Sequence, residues 1–226
     1  NGLRLGVSAN YNFGLTEKTF TQNTSGIQRG TQIVTRSELS GIQYVLGAHY
    51  DKLIKSKYLL QLAATYTPAA SLESVNSRTI GSTTTSGAYG SFETVNLGSL
   101  ANTSNKLASE TTVGAGIGLP QKWFLGASYL STDKGISNPL ETNMDVSYVA
   151  SSIFSVGGFY IQKYDSFTNY LSRVVYRVGA RWEHTGLELK NQSIKDFGIT
   201  FGVGLPVGGL SKINIGVAFG QRGTLD

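Results

Sequence analysis

The stretch LRLGVSANYNF, residues 3–13, alternates between apolar and polar or small residues over eleven positions. Its odd positions run from Leu3 to Phe13 and are apolar or aromatic, whereas its even positions hold Arg4, glycine, serine and asparagine. Successive side chains of a β-strand point to opposite faces, so a period of two separates these two sets. The stretch therefore predicts a strand with one apolar face and one polar face.

The same alternation recurs along the rest of the chain, and the sequence predicts nine strands in all. The alternation is least regular in the second of them, residues 42–50. The eight further segments are residues 42–50, 58–66, 107–119, 123–129, 146–156, 174–182, 197–205 and 213–219.

The strands are long, and aromatic residues stand at both ends of several of them. A strand that crosses hydrocarbon at a tilt needs about 9 to 11 residues, whereas a strand of a soluble sandwich usually has about 5 to 6. Rings at both edges of an apolar band are typical of two membrane interfaces. The candidate interface aromatics are Tyr58, Tyr66, Trp123, Tyr129, Tyr148, Tyr160, Tyr170 and Trp182. This pattern predicts an all-β fold, an antiparallel transmembrane β-barrel, and disfavours a sandwich core.

Composition agrees with this class. The 226 residues include 28 glycines and 15% charged residues, well below the roughly 25% of an ordinary soluble domain. No cysteine is present, which excludes disulfides, thiolate metal sites and cysteine nucleophiles. The formal charge is +5, but no cluster of five basic residues occurs, so we expect no nucleic-acid partner. No apolar run reaches the ~18 residues of a membrane helix.

The predicted connections alternate between short and long. The short ones are residues 51–56, 120–121, 162–169 and 206–211, and the long polar ones are residues 14–38, 67–106, 132–143 and 184–195. Outer-membrane barrels have short periplasmic turns and longer external loops, so we expect a bacterial outer-membrane protein whose first strand runs outward. Residues 1–226 are expected to form a single barrel domain. Because such barrels have an even number of strands, we expect at least one further strand beyond Asp226. The sequence also begins without an initiator methionine, so we expect an N-terminal part before Asn1 as well.

The polar register is expected to face the lumen of the barrel. Its candidate lining residues are Arg4, Asn10, Glu110, Arg173, Arg177, Arg181 and Glu183. The three arginines at a spacing of four would stack on one wall, where water or a carboxylate such as Glu110 would satisfy them. Two interpretations remain: a structural network of ion pairs, or a contact for an anion in a pore.

Catalytic and cofactor motifs are weak. The two histidines, His49 and His184, lie in no recognisable nucleophile motif, and the stretch GAGIG at residues 114–118 lies within a strand. The acidic residues have no metal-ligand spacing. We therefore expect no enzyme activity, no cofactor and no metal.

Three segments resemble the FadL-type outer-membrane transporters of hydrophobic compounds. They are VGAGIGLPQKWFLGASY at residues 113–129, LQLAATYTP at residues 60–68, and NIGVAFGQRGT at residues 214–224, which is similar to divergent Bacteroidota members. The resemblance implies a fourteen-stranded barrel with an N-terminal hatch that takes up long-chain fatty acids or other hydrophobic molecules.

The sequence hypothesis is thus an outer-membrane barrel for the uptake of hydrophobic or amphipathic small molecules. Its expected partners are outer-membrane lipid and a hydrophobic ligand. One alternative is a non-transporting subunit of a larger secretion or assembly complex, in which the segment 67–106 would bind other outer-membrane or surface proteins. A second alternative is a porin for hydrophilic solutes.

Overall fold

The structure is a computed structural model that describes residues 2–23, 29–84, 94–134, 146–190, 192–207 and 211–223. The described residues are 83% strand, which confirms the predicted all-β class, and over these residues the strands form one antiparallel sheet of twelve. In chain order they are β1 (Gly2–Gln22), β2 (Arg29–Ile54), β3 (Tyr58–Thr67), β4 (Ala70–Thr84), β5 (Thr94–Leu107), β6 (Glu110–Leu119), β7 (Trp123–Thr132), β8 (Val146–Tyr148), β9 (Ser151–Ile161), β10 (Val175–Leu189), β11 (Gln192–Pro206) and β12 (Lys212–Arg222).

The strands belong to two compact units. The first comprises residues 1–8, 44–68 and 108–226, in which pairing follows the order β12, β11, β10, β9, β7, β6, β3 and the C-terminal half of β2. Tight hairpins link β2 to β3 and β6 to β7, where the N–H groups of Lys57 and Lys122 donate to the carbonyls of Ile54 and Leu119. Among the described residues, the buried hydrophobic side chains are Val174 and Val175, so the other apolar residues stay at least partly exposed.

The second unit comprises residues 9–43 and 69–107. In it, the N-terminal half of β2 pairs with β4, and β4 pairs with β5. The β4–β5 ladder is irregular between Ser74 and Asn76 and again between Ser77 and Thr79. Serine, threonine and asparagine dominate its sequence.

The prediction of nine strands is wrong, because segment 67–106 holds two further strands, β4 and β5, and the predicted strand 146–156 is divided in two. Two other predicted connections lengthen strands instead of adding them: segment 14–38 holds the end of β1 and the start of β2, and segment 184–195 holds the β10–β11 hairpin. Strand pairing uses backbone N–H and C=O groups, which every residue except proline supplies. Strands with polar residues on both faces therefore carry no hydrophobic period for a sequence to reveal.

Segment 146–156 is two strands, not one. β8 pairs with the end of β10, whereas β9 pairs with β7 and with the earlier part of β10. The register of β10 shifts between His184 and Glu188, where Gly186 has a left-handed backbone with φ of +71° and its carbonyl accepts from the N–H of Val149 at 2.8 Å. Residues 135–143 of the predicted connection 132–143, and Thr224 of the third segment resembling FadL, lie outside the described residues.

Closure of the sheet is not observed. Over the described ranges, β12 pairs with β11 alone and β1 with β2 alone, so a barrel and its expected fourteen strands are not confirmed. No helix in the described part of the chain is long and apolar enough to cross a membrane. The expectation of a single domain with parts missing at both ends stays a prediction.

Candidate functional site

One face of the first unit is apolar and uncovered. Leu125, Val178, Phe201 and Val217 occupy one row across the strands, and each is about half exposed. The rows on either side continue this surface, which we call the apolar face. A contiguous exposed apolar surface of this extent marks contact with a membrane or with another protein.

A row of aromatic rings borders the apolar face where the strands meet the short hairpins. This hairpin rim consists of Tyr58, Trp123, Tyr160 and Tyr176. Trp123 lies opposite Tyr160, which lies opposite Tyr176, and the rings of Tyr58 and Trp123 are 6.3 Å apart.

A second row of rings borders the opposite edge of the apolar face. This far rim consists of Tyr129, Phe154, Trp182 and Phe197, which are successive partners across β7, β9, β10 and β11. The ring centroids of Trp182 lie 5.8 Å from Phe154 and 5.3 Å from Phe197. Along β7 the six residue steps from Trp123 to Tyr129 correspond to about 20 Å of strand.

Two of the predicted interface aromatics, Tyr148 and Tyr170, lie outside both rims, and the membrane position of all eight stays a prediction. Tyr148 lies in β8, so Phe154 holds the far-rim position of β9. Tyr170 precedes a 3₁₀ turn, Leu171–Arg173, so Tyr176 holds the hairpin-rim position of β10. Tyr66 of β3 lies opposite Leu46 and Thr111, one row beyond Tyr129.

Phe154, Tyr176 and Phe197 were missed by the sequence prediction. Each lies in the apolar register of its own strand, but only the pairing of neighbouring strands aligns it with the other rings.

The opposite face of the same strands is made of small residues. Its central row is Gln61, Gly116, Gly126, Gly157, Gly179 and Thr200. We call this the glycine face. The rings of Phe124 and Phe159 stack on it with centroids 6.3 Å apart, and a Cβ atom on Gly116 would overlap the ring of Phe124. Gly116 and Gly126 thus leave the space that the ring of Phe124 fills.

Phe124, Phe159 and Arg177 also contribute to a cleft of about 830 Å³. Its lining includes consecutive residues of β9 and β10, whose side chains point to opposite faces. The cleft is therefore not an enclosed pocket on one face of the sheet.

Ion pairs and hydrogen bonds join side chains on the glycine face, both within a strand and between strands. Arg4 lies 2.8 Å from Asp51, and Arg181 lies 2.9 Å from Glu183 and 3.7 Å from Asp196. A side-chain nitrogen of Arg177 donates to Asn214 Oδ1 at 3.0 Å. The structure therefore places Arg177, Arg181 and Glu183 of the predicted lining residues on one face of β10, where Arg181 contacts Glu183.

The predicted ladder of three arginines is corrected to two. Arg173 lies in the 3₁₀ turn before β10, where its guanidinium group is 5.4 Å from the ring of Tyr170. Glu110 is the first residue of β6, opposite Thr67 and Thr132, and Asn10 is an exposed residue of β1. Whether any of these side chains lines a lumen stays a prediction.

A buried polar group organises the β4–β5 pair of the second unit. The side-chain amide of Asn76 donates to the carbonyl of Ala101 at 3.1 Å and to Thr103 Oγ1 at 2.9 Å, while its oxygen accepts from Ser74 Oγ at 2.8 Å. Asn76 and Ser74 are both buried. These bonds span the first irregularity of the ladder and join the two strands there.

The histidines remain at the periphery of this arrangement. His184 Nδ1 lies 3.4 Å from the hydroxyl of Ser152 at an exposed position, and His49 lies 3.8 Å from Asp51. Among the described residues, no group of three or more His, Cys, Asp or Glu side chains is placed to hold a metal ion. The expected lack of enzyme activity stays a prediction.

A family model described as BamG matches residues 1–226, the whole length of the chain. No curated protein and no solved structure matches it. The family match overturns the resemblance to FadL-type transporters and, with it, the expected uptake of hydrophobic molecules. The resembling segments consist mainly of alternating strand residues, which any outer-membrane sheet needs, and this explains why they were misleading.

Proposed function

The chain belongs to the BamG family, and from this premise we propose that it is a non-transporting subunit in the assembly of outer-membrane proteins. The family is part of the outer-membrane BAM machinery, and the protein is located in the outer membrane. The observation that carries the proposal is the match over the whole chain. The protein has no catalytic role in this proposal.

The first unit serves as the membrane anchor in this proposal. The apolar face contacts lipid, and the hairpin rim and far rim lie at the two levels of the head groups, where amphipathic rings are most stable. The sheet closes into a barrel in the membrane, because an open edge in hydrocarbon would leave backbone groups without partners. The ion pairs of Arg4 and Arg181 stabilise its inner wall.

The β4–β5 pair contacts a partner protein of the assembly machinery. Its polar surface suits contact in water, and the Asn76 hydrogen bonds hold it in one shape before a partner binds, which lowers the entropy cost of association. Val75 and Val95 are exposed on this pair and provide apolar contact points.

Native purification tests the proposal. Full-length protein extracted from outer membranes in mild detergent should run as a stable complex with other outer-membrane assembly proteins. Depleting it should lower the amounts of other folded outer-membrane proteins. A protein that runs alone, and whose depletion leaves those amounts unchanged, would contradict the subunit function.

Single substitutions test the contact surface. Val75→Asp and Val95→Asp should weaken co-purification, because a charge would be desolvated in the interface. Val207→Asp is the matched control, since Val207 is also exposed but lies between β11 and β12. Equal loss with all three variants would exclude the β4–β5 pair as the contact.

A further inference from the structure

Basic residues concentrate in the short connections at the hairpin rim. These connections and the strand residues that adjoin them contain Lys52, Lys55, Lys57, Lys122, Lys163, Arg173 and Lys212, which we call the basic cluster. They also contain two acidic residues, Asp51 and Asp165. The other twelve basic and twelve acidic residues of the chain cancel, so these nine residues account for the formal charge of +5. Asp51 is moreover paired with Arg4.

Two residues of the basic cluster adjoin the aromatic rings of the hairpin rim. Lys57 Nζ is 5.6 Å from the centroid of Tyr58, and Lys122 precedes Trp123 in the chain. All six lysines of the cluster are exposed. Lys55 adopts a left-handed backbone with φ of 50°, a position at which glycine or asparagine costs less.

The connection between β9 and β10 adds exposed apolar side chains at the same end. Phe167 is fully exposed, and Tyr164 and Leu171 are more than half exposed. The connection is nevertheless held by hydrogen bonds, from the N–H of Lys163 to the carbonyl of Ser172 at 2.8 Å and from the N–H of Asn169 to Ser166 Oγ at 3.2 Å. It therefore presents rings and cations together on an ordered backbone.

We propose that the basic cluster binds the phosphate groups of anionic phospholipids in the leaflet that the short connections face. Rings seat at the level of the head groups, and lysine and arginine side chains beside them extend to the phosphates. The proposal rests on the membrane anchor described under the proposed function.

The short distance to which the lysine side chains extend beyond the rim favours phospholipid over an acidic protein as the ligand. Lys57 and Lys122 lie in tight hairpins and adjoin rim residues, so their ammonium groups extend no further than a side chain beyond the rings. A partner protein in the aqueous phase would need charges that project past the head groups.

The two tryptophans provide a built-in test, because Trp123 lies in the hairpin rim and Trp182 in the far rim. Full-length Trp182→Phe and Trp123→Phe variants are reconstituted in phosphatidylcholine vesicles that contain phosphatidylglycerol. In one preparation the phosphatidylglycerol is brominated in its acyl chains, and in the other the phosphatidylcholine is, at the same mole fraction of brominated lipid. The fluorescence quenching of the remaining tryptophan is then compared between the two preparations. We expect brominated phosphatidylglycerol to quench Trp123 about twofold more than brominated phosphatidylcholine, because each nearby cation attracts anionic lipid. For Trp182 we expect equal quenching.

Substitutions that remove positive charge test whether the basic cluster causes the excess quenching of Trp123 by brominated phosphatidylglycerol. Replacing Lys55, Lys57, Lys122 and Lys163 by glutamine should abolish it, as should a rise in salt to about 1 M, where the Debye length falls to about 3 Å. The matched control replaces four other exposed lysines, Lys106, Lys134, Lys190 and Lys195, and should leave the excess unchanged.

Each remaining outcome overturns a defined claim. Equal quenching of Trp123 by both lipids, or an excess that survives the four substitutions in the cluster, overturns phospholipid binding. Loss of co-purifying subunits from that variant with unchanged quenching assigns the cluster to an acidic protein instead. If neither tryptophan is quenched by brominated phosphatidylcholine, the membrane anchor itself is wrong.

Discussion

Asn76 illustrates how one residue decides the geometry of the β4–β5 pair. Its side chain supplies donors to β5 and an acceptor to Ser74 at a point where the backbone ladder is irregular. A buried amide of this kind is favourable only when its partners are present, because each unsatisfied group keeps its desolvation cost. Nothing in the local sequence distinguishes Asn76 from the neighbouring asparagines.

Replacing Asn76 by alanine should loosen the β4–β5 pair. The change leaves Ser74 Oγ without its buried acceptor, and we expect a local loss of about 1–3 kcal/mol. Hydrogen exchange of the β4 and β5 amides measures this loss directly. Asn102→Ala is the control, because Asn102 is exposed on β5, and it should change exchange little. Equal protection in both variants would show that the Asn76 hydrogen bonds are dispensable.

Gly158 sets how closely strands β7 and β9 approach each other. It lies between Leu125 and Val178 on the apolar face, and a Cβ atom there would overlap the backbone carbonyl of Phe124. Backbone cannot move aside as a flexible side chain can. At Gly198 of β11 the nearest atom to such a Cβ would be 3.7 Å away, which is ordinary contact.

Alanine at these two glycines should therefore have opposite consequences. Gly158→Ala should destabilise the sheet by about 1–3 kcal/mol through overpacking. Gly198→Ala should be neutral or slightly stabilising, because alanine restricts the unfolded chain. Urea unfolding in detergent, followed by the fluorescence of the native tryptophans, compares the two variants. A Gly158→Ala variant as stable as the Gly198→Ala variant would disprove the close approach of β7 to β9.

At the scale of the whole molecule, two parts of the chain differ in chemistry. The short connections at the hairpin rim carry the basic cluster, whereas β4 and β5 are polar strands. The sequence prediction of a first strand that runs outward places the short connections on the periplasmic side and segment 67–106 outside the cell. Because the chain contains no cysteine, introduced cysteines can report which side of the membrane each part occupies.

A membrane-impermeant maleimide should label a Ser104→Cys variant on intact cells. A Ser211→Cys variant should be labelled only after the outer membrane is made permeable, because Ser211 lies between β11 and β12. Both serines are exposed, so accessibility within the protein does not distinguish them. Labelling of the Ser211→Cys variant on intact cells would reverse the proposed orientation.

The amino-acid sequence by itself determined the all-β fold class and which residues of a strand lie on its apolar and polar faces. The alternation from Leu3 to Phe13 and its repeats are local, since each residue takes its face from its own position in a strand. Trp123 and Trp182 could be assigned to the rims for this reason. The polarity of Arg177 and Arg181 likewise placed them on the face opposite the rings.

Only the tertiary structure decided which residues of different strands become neighbours. Strand pairing places Phe154 and not Tyr148 in the far rim, and it leaves Arg173 outside β10, so that the arginine ladder has two members. It also forms β4 and β5 from a segment that the sequence predicts to be a connection. The physical reason is that register depends on backbone hydrogen bonds between residues far apart in sequence. Those bonds form equally well under polar side chains, which leave no hydrophobic period to read.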